Sequence, residues 1–482
     1  MLFNNIEPQA IWNYFEDILR IPRPSDSEQK IRQYLLDFAS KHNLDCKVDD
    51  TGNVLISKAP TAGREQSSGV ILQSHMDMVC EKNKDCEIDF MNDPISAYID
   101  GNWVKAKGTT LGADDGIGIA AQLAVLSSSD ISHGPIECLF TVAEETGLSG
   151  AFGLKDGFLT NKILLNLDSE DEGEIFIGCS GGIDTTAWFD YQNDLLPDDY
   201  SSVELRVSGL KGGHSGDEIH KGLGNSIKIL NRFLWDQADE LELRISHFEG
   251  GNLRNAIPRE AACIVTLPAE NEKTLIERFE AFEKITRNEL PHTEPDLALS
   301  HTKTSLPAEV IDIDTQSNML NALYACPHGV LAWSQSMDNM VETSTNLAAL
   351  KFVDGRIKVT TSQRSSLESA KNNMASMVES AFLLAGAETK RSGRYPGWNP
   401  NPNSALVRLS EKVYEDIFGN KPIVRAIHAG LECGLFLEKY PDLDMISFGP
   451  TIRGAHSPDE RLDIDSTQKF WKYLIELLEQ IQ

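Results

Sequence analysis

The stretch that decides the fold of this chain, Ile136–Gly147, reads IECLFTVAEETG. It begins as an apolar, strand-like run, and Glu144 and Glu145 follow where that strand would end. Adjacent carboxylates repel each other, so both stay ionised at low cost only where a cation is shared between them. A solvated acidic turn is the simpler interpretation of one such pair, and the rest of the chain decides between the two.

Four other apolar runs also lead to side chains of the kind that bind metals. These are Val70–Gln73 before His75 and Asp77, Leu111–Ala113 before Asp114 and Asp115, Ile163–Leu167 before Asp168, and Met445–Phe448 before His456. From residue 54 to residue 168 strand-like and helix-like runs alternate, which is typical of an α/β fold with mostly parallel strands. Because ligands collect beyond the carboxyl ends of parallel strands, we expect these side chains to share one site.

The length of 482 residues is too great for one hydrophobic core and indicates at least two domains. After about residue 183 the pattern changes to that of an inserted α+β unit. We therefore predict an α/β first domain made of residues 1–183 and 395–482, with a mostly parallel central sheet and helices on both faces. Residues 184–394 form the insertion, and the segment Ser392–Trp398 is predicted to be the linker that returns to the first domain.

The composition restricts the partners that the chain can bind. Its net charge of −29 repels nucleic acid and anionic lipid, so we expect neither as a partner. No apolar run is long enough to cross a bilayer, and the amino terminus does not look like a signal peptide. The eight cysteines show no close-spaced pairs, which suits a reducing compartment. We expect a soluble cytoplasmic protein.

The candidate metal ligands are two histidines and three carboxylates, namely His75, Asp114, Glu145, Asp168 and His456. Mixed nitrogen and oxygen donors suit zinc, and cobalt and manganese are compatible with them. Five ligands exceed the needs of one catalytic zinc, so two divalent ions that share a carboxylate fit better. Glu144 is then free to act as a general base. Asp77 lies two residues after His75, on the same side of the strand, and is placed to orient the imidazole.

These motifs resemble, in their order, the co-catalytic zinc peptidases and deacylases, which include carboxypeptidase G-type enzymes, succinyl-diaminopimelate desuccinylase and peptidase T. The motifs are Ser74–Val79, Gly112–Gly116, Glu144–Gly147, Leu167 with Asp168, and Ala455–Pro458. The resemblance implies that Asp114 bridges two metal ions and has a cis peptide bond to Asp115. It assigns His75 and Asp168 to one ion, and Glu145 and His456 to the other. It makes Glu144 the general base and Asp77 the partner of His75.

Longer stretches are similar to one branch of that family, the aminoacyl-histidine dipeptidases, also called Xaa-His or cytosol non-specific dipeptidases. They are Lys107–Gly118, Lys211–Gly216 and Ile427–Gly434. The resemblance implies hydrolysis of unblocked dipeptides, especially Xaa-His including β-alanyl-histidine, by a metal-activated water with Glu144 as base. It also implies that the inserted domain is a lid. Simple lids in this family mediate homodimers in which a lid histidine reaches the partner's site, whereas a lid of twice that size could supply the histidine, here His214, within one chain. The substrate contacts that it implies are His214, Asn255, Arg364, His428 and Gly430.

Three other interpretations compete with a dipeptidase. The first is a related co-catalytic aminopeptidase or an N-acyl amino acid deacylase, and the lid motif and Pro458 argue against the aminopeptidase. The second is a metal or peptide binder without catalysis, which has no need of a base at Glu144. The third is an acidic cluster without metal, which is disfavoured because clustered, unpaired carboxylates are energetically expensive.

Overall fold

The structure is a computed structural model that describes residues 2–197 and 199–482. The helices of this part of the chain are α1 Gln9–Leu19, α2 Gln29–Lys41, α3 Ala113–Ser127, α4 Ser149–Gly153, α5 Ser226–Gln237, α6 Glu272–Glu289, α7 Ile313–Ala325, α8 Glu368–Leu384, α9 Ala405–Phe418, α10 Glu432–Lys439 and α11 Ile464–Gln480. None of them is both long enough and apolar enough to span a bilayer.

The strands of the same residues are β1 Asp45–Val48, β2 Val54–Lys58, β3 Val70–His75, β4 Ala97–Asp100, β5 Trp103–Ala106, β6 Ile136–Thr141, β7 Ile163–Asn166, β8 Glu174–Cys179, β9 Gly181–Asp190, β10 Asn193–Leu195, β11 Tyr200–Ser208, β12 Gly213–His214, β13 Arg244–Gly250, β14 Ala256–Ile257, β15 Ala261–Pro268, β16 Ala298–Lys303, β17 Glu309–Ile311, β18 Gly329–Trp333, β19 Val341–Val353, β20 Arg356–Ser365, β21 Glu388–Tyr395, β22 Ile423–Ile427, β23 Asp444–Ser447, β24 Ile452–Arg453 and β25 Arg461–Asp463.

The chain divides into two compact units. Unit 1 comprises Met1–Cys179, Trp398–Ala426 and Leu431–Gln482, and unit 2 comprises Ser180–Gly397 and Ile427–Gly430. The short segment Ile427–Gly430, which the sequence analysis assigned to the first domain, thus falls in unit 2. There the backbone N–H of Ser180 lies 3.1 Å from the carbonyl oxygen of Ile427 and 3.0 Å from that of Ala429.

Unit 1 is built on an eight-stranded sheet with the order β1-β2-β6-β3-β7-β23-β8-β22. The four neighbours β6, β3, β7 and β23 are parallel to one another. Every residue of β3 and β6 is buried, as expected for parallel strands covered on both faces. Helix α3 packs on β3, and α9 packs on β23. The predicted α/β fold with parallel central strands is confirmed.

The register of the parallel strands brings their carboxyl ends to one edge of the sheet. His75, the last residue of β3, pairs with Thr141, the last residue of β6. Gln73 of β3 pairs with Asn166, the last residue of β7. The residues that follow each strand are therefore delivered to the same place, although they are far apart in the chain.

Unit 2 contains a mainly antiparallel sheet with the order β16-β11-β15-β13-β19-β20-β9-β21, with β18 paired to β19. Its core includes apolar side chains of this sheet and of α5, α6, α7 and α8. The predicted linker Ser392–Trp398 is wrong over its first half, because β21 continues to Tyr395 and pairs with β9. A register shift between Ser392 and Tyr395 accommodates Gly393, whose φ is +59°. Backbone pairing along the edge of the sheet thus outweighs the turn tendency of this glycine.

Candidate metal centre

His75 is the most buried of the five predicted metal ligands and is 1% exposed. Its Nε2 lies 2.9 Å from Oδ1 of Asp114 and 3.3 Å from Oδ1 of Asp168. Its other nitrogen, Nδ1, lies 3.3 Å from Oδ1 of Asp77. Nε2 therefore faces two carboxylates, while Nδ1 is directed to a third that orients the ring. This is the usual arrangement of a metal-binding imidazole with a carboxylate behind it.

Asp114 occupies a tight turn before the regular part of α3. The preceding Gly112 has a φ of +72°, Asp114 itself is non-helical, and the peptide bond between Asp114 and Asp115 is cis. The turn directs both oxygens of the Asp114 carboxylate into the site. Oδ1 faces His75, and Oδ2 lies 3.2 Å from Nε2 of His456. One carboxylate thus lies between two imidazoles, as a bridging ligand would.

Glu145 lies against the second imidazole. Its Oε2 is 3.0 Å from Nε2 of His456, and its Oε1 is buried without a hydrogen-bond partner. The ligand atoms form three groups in each of which all atoms lie within 4.8 Å of one another. The groups are His75, Asp114 and Asp168; His75, Glu144 and Glu145; and Asp114, Glu145 and His456. The structure therefore brings together all five predicted metal ligands and Glu144.

The charges of the cluster are unbalanced without a cation. Burial and the neighbouring carboxylates Asp114 and Glu145 raise the pKa of Asp168 to about 7, even though His75 opposes this shift. Burial, with Asp168 and Glu145, also raises the pKa of Glu144 well above its usual range. Within residues 2–197 and 199–482 no Lys or Arg forms an ion pair with these carboxylates. A set of nitrogen and oxygen donors short of positive charge fits divalent metal ions.

Asp77 holds the turn that carries the two adjacent glutamates. Its Oδ1 accepts a hydrogen bond of 3.0 Å from the backbone N–H of Glu144, and its Oδ2 accepts one of 3.2 Å from that of Glu145. The hydroxyl of Ser25 also donates to Oδ2, at 2.8 Å. Burial by itself raises the pKa of Asp77, but His75 and these donors lower it to about 2. Asp77 is therefore a carboxylate that supports the ligands from outside the cluster.

A buried polar network that the sequence analysis did not foresee crosses the strands beneath the cluster. Asn166 donates to Oε1 of Gln73 at 2.5 Å, and Gln73 donates to Oε2 of Glu432 at 2.6 Å. The hydroxyl of Thr141 donates to the same Glu432 oxygen at 2.8 Å. This network joins β7, β3 and β6 at residues just before the proposed metal-binding side chains at the strand ends. No pattern along the chain marks it, because Glu432 reaches the network from the separate helix α10.

The predicted substrate contacts lie in unit 2 and form two groups. His214 and Asn255 belong to the first, where the N–H of Ser215 donates to the carbonyl oxygen of Asn255 at 2.8 Å. Both side chains line a cavity of about 730 Å³. The charged residues that also line it have both signs, namely Arg206, Lys211, Arg259, Lys351, Glu249 and Glu260.

Arg364, His428 and Gly430 form the second group, around Tyr395. Arg364 is 7% exposed, and its Nη1 donates to the hydroxyl of Tyr395 at 3.0 Å. A Cβ at Gly430 would lie 2.9 Å from the ring of Tyr395, so a larger residue would require that ring to move. His428 uses both ring nitrogens internally: Nδ1 lies 2.6 Å from the hydroxyl of Ser180, and Nε2 lies 2.7 Å from that of Ser344.

Comparison with known proteins places the chain in a family. It belongs to the peptidase family M20/M25/M40, whose model matches residues 71–480. The cytosol non-specific dipeptidase of Escherichia coli (strain K12) is 44% identical to it over 478 residues, which cover 99% of each protein. The crystal structure of aminoacylhistidine dipeptidase from Vibrio alginolyticus matches with a TM-score of 0.93 and 47% identity, covering 100% of this chain and 98% of that one.

A tripeptidase from Staphylococcus aureus subsp. aureus Mu50 is more distant. It has a TM-score of 0.57 and 17% identity over 99% of each chain, and it shares the fold. The comparisons confirm the predicted family and the predicted class of enzyme. M20 peptidases are metal-dependent hydrolases, and the cluster of carboxylates and imidazoles in unit 1 is the candidate metal site of this member.

Proposed function

We propose that this chain is a two-metal dipeptidase that hydrolyses unblocked dipeptides, Xaa-His and β-alanyl-histidine among them. The observation that carries the proposal is the Asp114 carboxylate, whose oxygens lie 2.9 Å from Nε2 of His75 and 3.2 Å from Nε2 of His456. Two relatives that match over almost their whole length are named as dipeptidases, and one of them as an aminoacylhistidine dipeptidase. Unit 1 would be the catalytic domain and unit 2 the lid.

Two divalent ions fit the charge of the cluster. His75 and Asp168 would hold one ion, Glu145 and His456 the other, and Asp114 both. Zinc suits this mixture of nitrogen and oxygen donors, and cobalt and manganese are alternatives. When bound, such ions polarise the scissile carbonyl and make water more acidic.

The remaining steps belong to side chains of the protein. Glu144 lies within the ligand cluster and is left without a ligand role, so its carboxylate would accept the proton of the attacking water. The same carboxyl group would then donate that proton to the leaving amine. Asp77 would keep Glu144 in place through the backbone N–H that it binds at 3.0 Å.

Unit 2 would supply the specificity. Arg364, in its contact with Tyr395, offers a guanidinium that suits the terminal carboxylate of a dipeptide. His214, Asn255 and Gly430 are proposed to contact the substrate on the family resemblance. His428 would shape the substrate region indirectly, by holding the segments that carry Ser180 and Ser344. Both of its ring nitrogens are within hydrogen-bond distance of these serine hydroxyls.

The test is hydrolysis of a defined panel by the purified protein, after chelation and after the return of zinc. The panel contains β-alanyl-histidine, several Xaa-His dipeptides, matched tripeptides, dipeptide amides and N-acyl amino acids. We expect hydrolysis of the free dipeptides alone, lost with chelation and restored by zinc. Equal cleavage of tripeptides would favour the aminopeptidase, and equal cleavage of N-acyl amino acids would favour the deacylase.

The compartment and the assembly are part of the same proposal. All eight cysteines are free, as suits a reducing cytoplasm, and one relative is named as a cytosolic enzyme. On the family resemblance we expect a homodimer. Light scattering coupled to gel filtration measures the mass directly, and a mass of one chain would contradict this expectation.

A further inference from the structure

The turn that carries Asp114 is held by a glutamate that the catalytic proposal does not use. Glu460 is 2% exposed, and its carboxylate accepts hydrogen bonds from four successive backbone N–H groups. Oε2 accepts from Leu111 at 2.6 Å and from Gly112 at 2.9 Å. Oε1 accepts from Ala113 at 2.7 Å and from Asp114 at 3.3 Å. The carboxylate therefore fixes the backbone of the turn up to the bridging residue itself.

A buried arginine holds the carbonyl side of the same turn. Arg23 is 2% exposed, and its Nη2 donates to the carbonyl oxygen of Gly112. Its Nη1 donates to the carbonyl oxygens of Met76, at 3.0 Å, and of Asp77. Arg23 thus joins the segment after β3, which follows His75, to the turn before α3. A guanidinium can do this because its donors form a planar fork.

The glycines of the Gly112–Gly116 motif make room for this arginine. A Cβ at Gly112 would lie 2.8 Å from Nη2 of Arg23, and a Cβ at Gly116 would lie 2.7 Å from the same atom. Both distances are shorter than carbon and nitrogen atoms tolerate without contact strain. The motif therefore serves the guanidinium as well as the turn, which indicates that the turn is built around Arg23.

We infer that Glu460 and Arg23 form a clamp that positions the metal ligands His75, Asp114 and His456 relative to one another. Glu460 lies four residues after His456 and grips the N–H side of the Asp114 turn. Arg23 grips the carbonyl side of that turn and ties it to the chain after His75. Three ligand segments from distant parts of the sequence are thereby connected by two buried charges. The inference rests on the proposed function, since it assumes that these residues bind metal.

Glu460→Gln tests the clamp because it keeps the volume and replaces one acceptor oxygen with an NH₂ group that cannot accept from the turn. The readout is the zinc affinity of the full-length folded protein, measured by competition with a chelating indicator below its unfolding temperature. We expect an affinity about 10- to 100-fold weaker than that of the wild type, the usual effect of losing a residue that supports metal ligands.

The matched control is Glu137→Gln. Glu137 is also buried in unit 1, and its carboxylate accepts from the backbone N–H of Thr160 at 3.0 Å and from that of Asn161 at 3.1 Å. That turn carries none of the proposed ligands. Loss of these hydrogen bonds should lower the unfolding temperature and leave the zinc affinity unchanged, which is what a merely structural role of Glu460 would also produce.

If Glu460→Gln does not fold, Arg23→Lys is the replacement test. This variant keeps the positive charge but loses the planar set of guanidinium donors. Where both variants fold, the double variant should lose less zinc-binding free energy than the sum of the two single losses, since both residues act on one turn. Wild-type zinc affinity in the folded variants would overturn the clamp and leave the proposed function intact. A wild type that binds none of zinc, cobalt and manganese would overturn the proposed function, and the clamp with it.

Discussion

Oδ2 of Asp114 lies 3.2 Å from Nε2 of His456, although 342 residues separate the two in the chain. The other oxygen of this carboxylate lies 2.9 Å from Nε2 of His75. A carboxylate that faces one imidazole with each oxygen can serve two metal ions at once. Removal of this one side chain should therefore affect both ions, whereas removal of an outer ligand should affect one more than the other.

Asp114→Ala is expected to lose most of both metal equivalents, because the shared ligand disappears from each site. Metal analysis after gentle purification measures this directly, and the wild type should contain up to two equivalents. Asp442→Ala is the control, since it removes a carboxylate that is 81% exposed, pairs with Lys162 and is not a proposed ligand. Two tightly bound ions in Asp114→Ala would remove the bridging role.

Glu144→Gln should keep the metal content near that of the wild type and lower kcat by at least about a hundredfold, the scale of losing a positioned base. Glu145→Gln should behave differently, because Glu145 lies 3.0 Å from Nε2 of His456 and is proposed as a ligand. The main effect of Glu145→Gln should be a loss of metal affinity. Metal analysis and kcat on the same samples separate the two roles, and a Glu144→Gln protein that loses metal but keeps its rate per bound metal would reverse them.

Asp77→Asn is expected to weaken metal binding by about 10- to 100-fold. The uncharged amide has only one acceptor oxygen, so it orients His75 and the backbone of the Glu144 turn less firmly than the carboxylate does. Ser25→Ala should have a smaller effect in the same direction, since it removes only the 2.8 Å hydrogen bond to Oδ2 of Asp77. Titration with zinc gives both values. An Asp77→Asn protein with wild-type affinity would show that the ring of His75 needs no such support.

Arg364→Ala should raise KM for free dipeptides and narrow the difference between a dipeptide and its amide, because the partner of the terminal carboxylate is lost. Tyr395→Phe is the milder comparison, since it keeps Arg364 and removes the hydroxyl that Nη1 contacts at 3.0 Å. Steady-state kinetics on each acid and amide pair measure the effect. An unchanged preference for the free acid in Arg364→Ala would place the carboxylate elsewhere.

The stability of the chain should fall in mild acid partly through His428. Burial, and then the nearby Arg364, lower the pKa of His428 to about 3, while Asp217 acts in the opposite direction and His214 and His220 add to the lowering. An unfolded histidine has a pKa of about 6.5, so between these values the unfolded chain binds more protons than the folded chain. The contribution is therefore complete above about pH 6.5 and decreases as the pH falls.

His428→Asn removes this titration. Its free energy of unfolding should depend less on pH between about pH 6.5 and pH 4 than that of the wild type. Denaturant unfolding at a series of pH values gives the comparison, and His292→Asn, at an exposed position, is the control. Parallel pH profiles for the wild type and His428→Asn would show that His428 binds its proton equally well in the folded and the unfolded protein, and would contradict the lowered pKa.

The class of fold and the residue types of the site were predictable, because both depend on short, continuous stretches of the chain. An apolar run such as Ile136–Thr141 predicts a buried strand, and parallel strands deliver the residues after them to one edge of the sheet. The edge strand β21 was not predictable, since its glycine and arginine pattern is typical of a loop. The strand β21 forms by pairing with β9, whose residues lie at least 200 positions earlier in the chain.

The sequence by itself determined the α/β class, the family and the set of side chains that meet beyond β3, β6 and β7. Only the tertiary structure decided that Asp114 lies between two imidazoles, and that Glu460 and Arg23 hold its turn. The residues next to Glu460 in the sequence do not indicate that it is buried, because burial of a charge depends on distant segments that pack around it. Its hydrogen bonds with Leu111 and Gly112 join residues almost 350 positions apart. No periodicity along the chain carries such a contact.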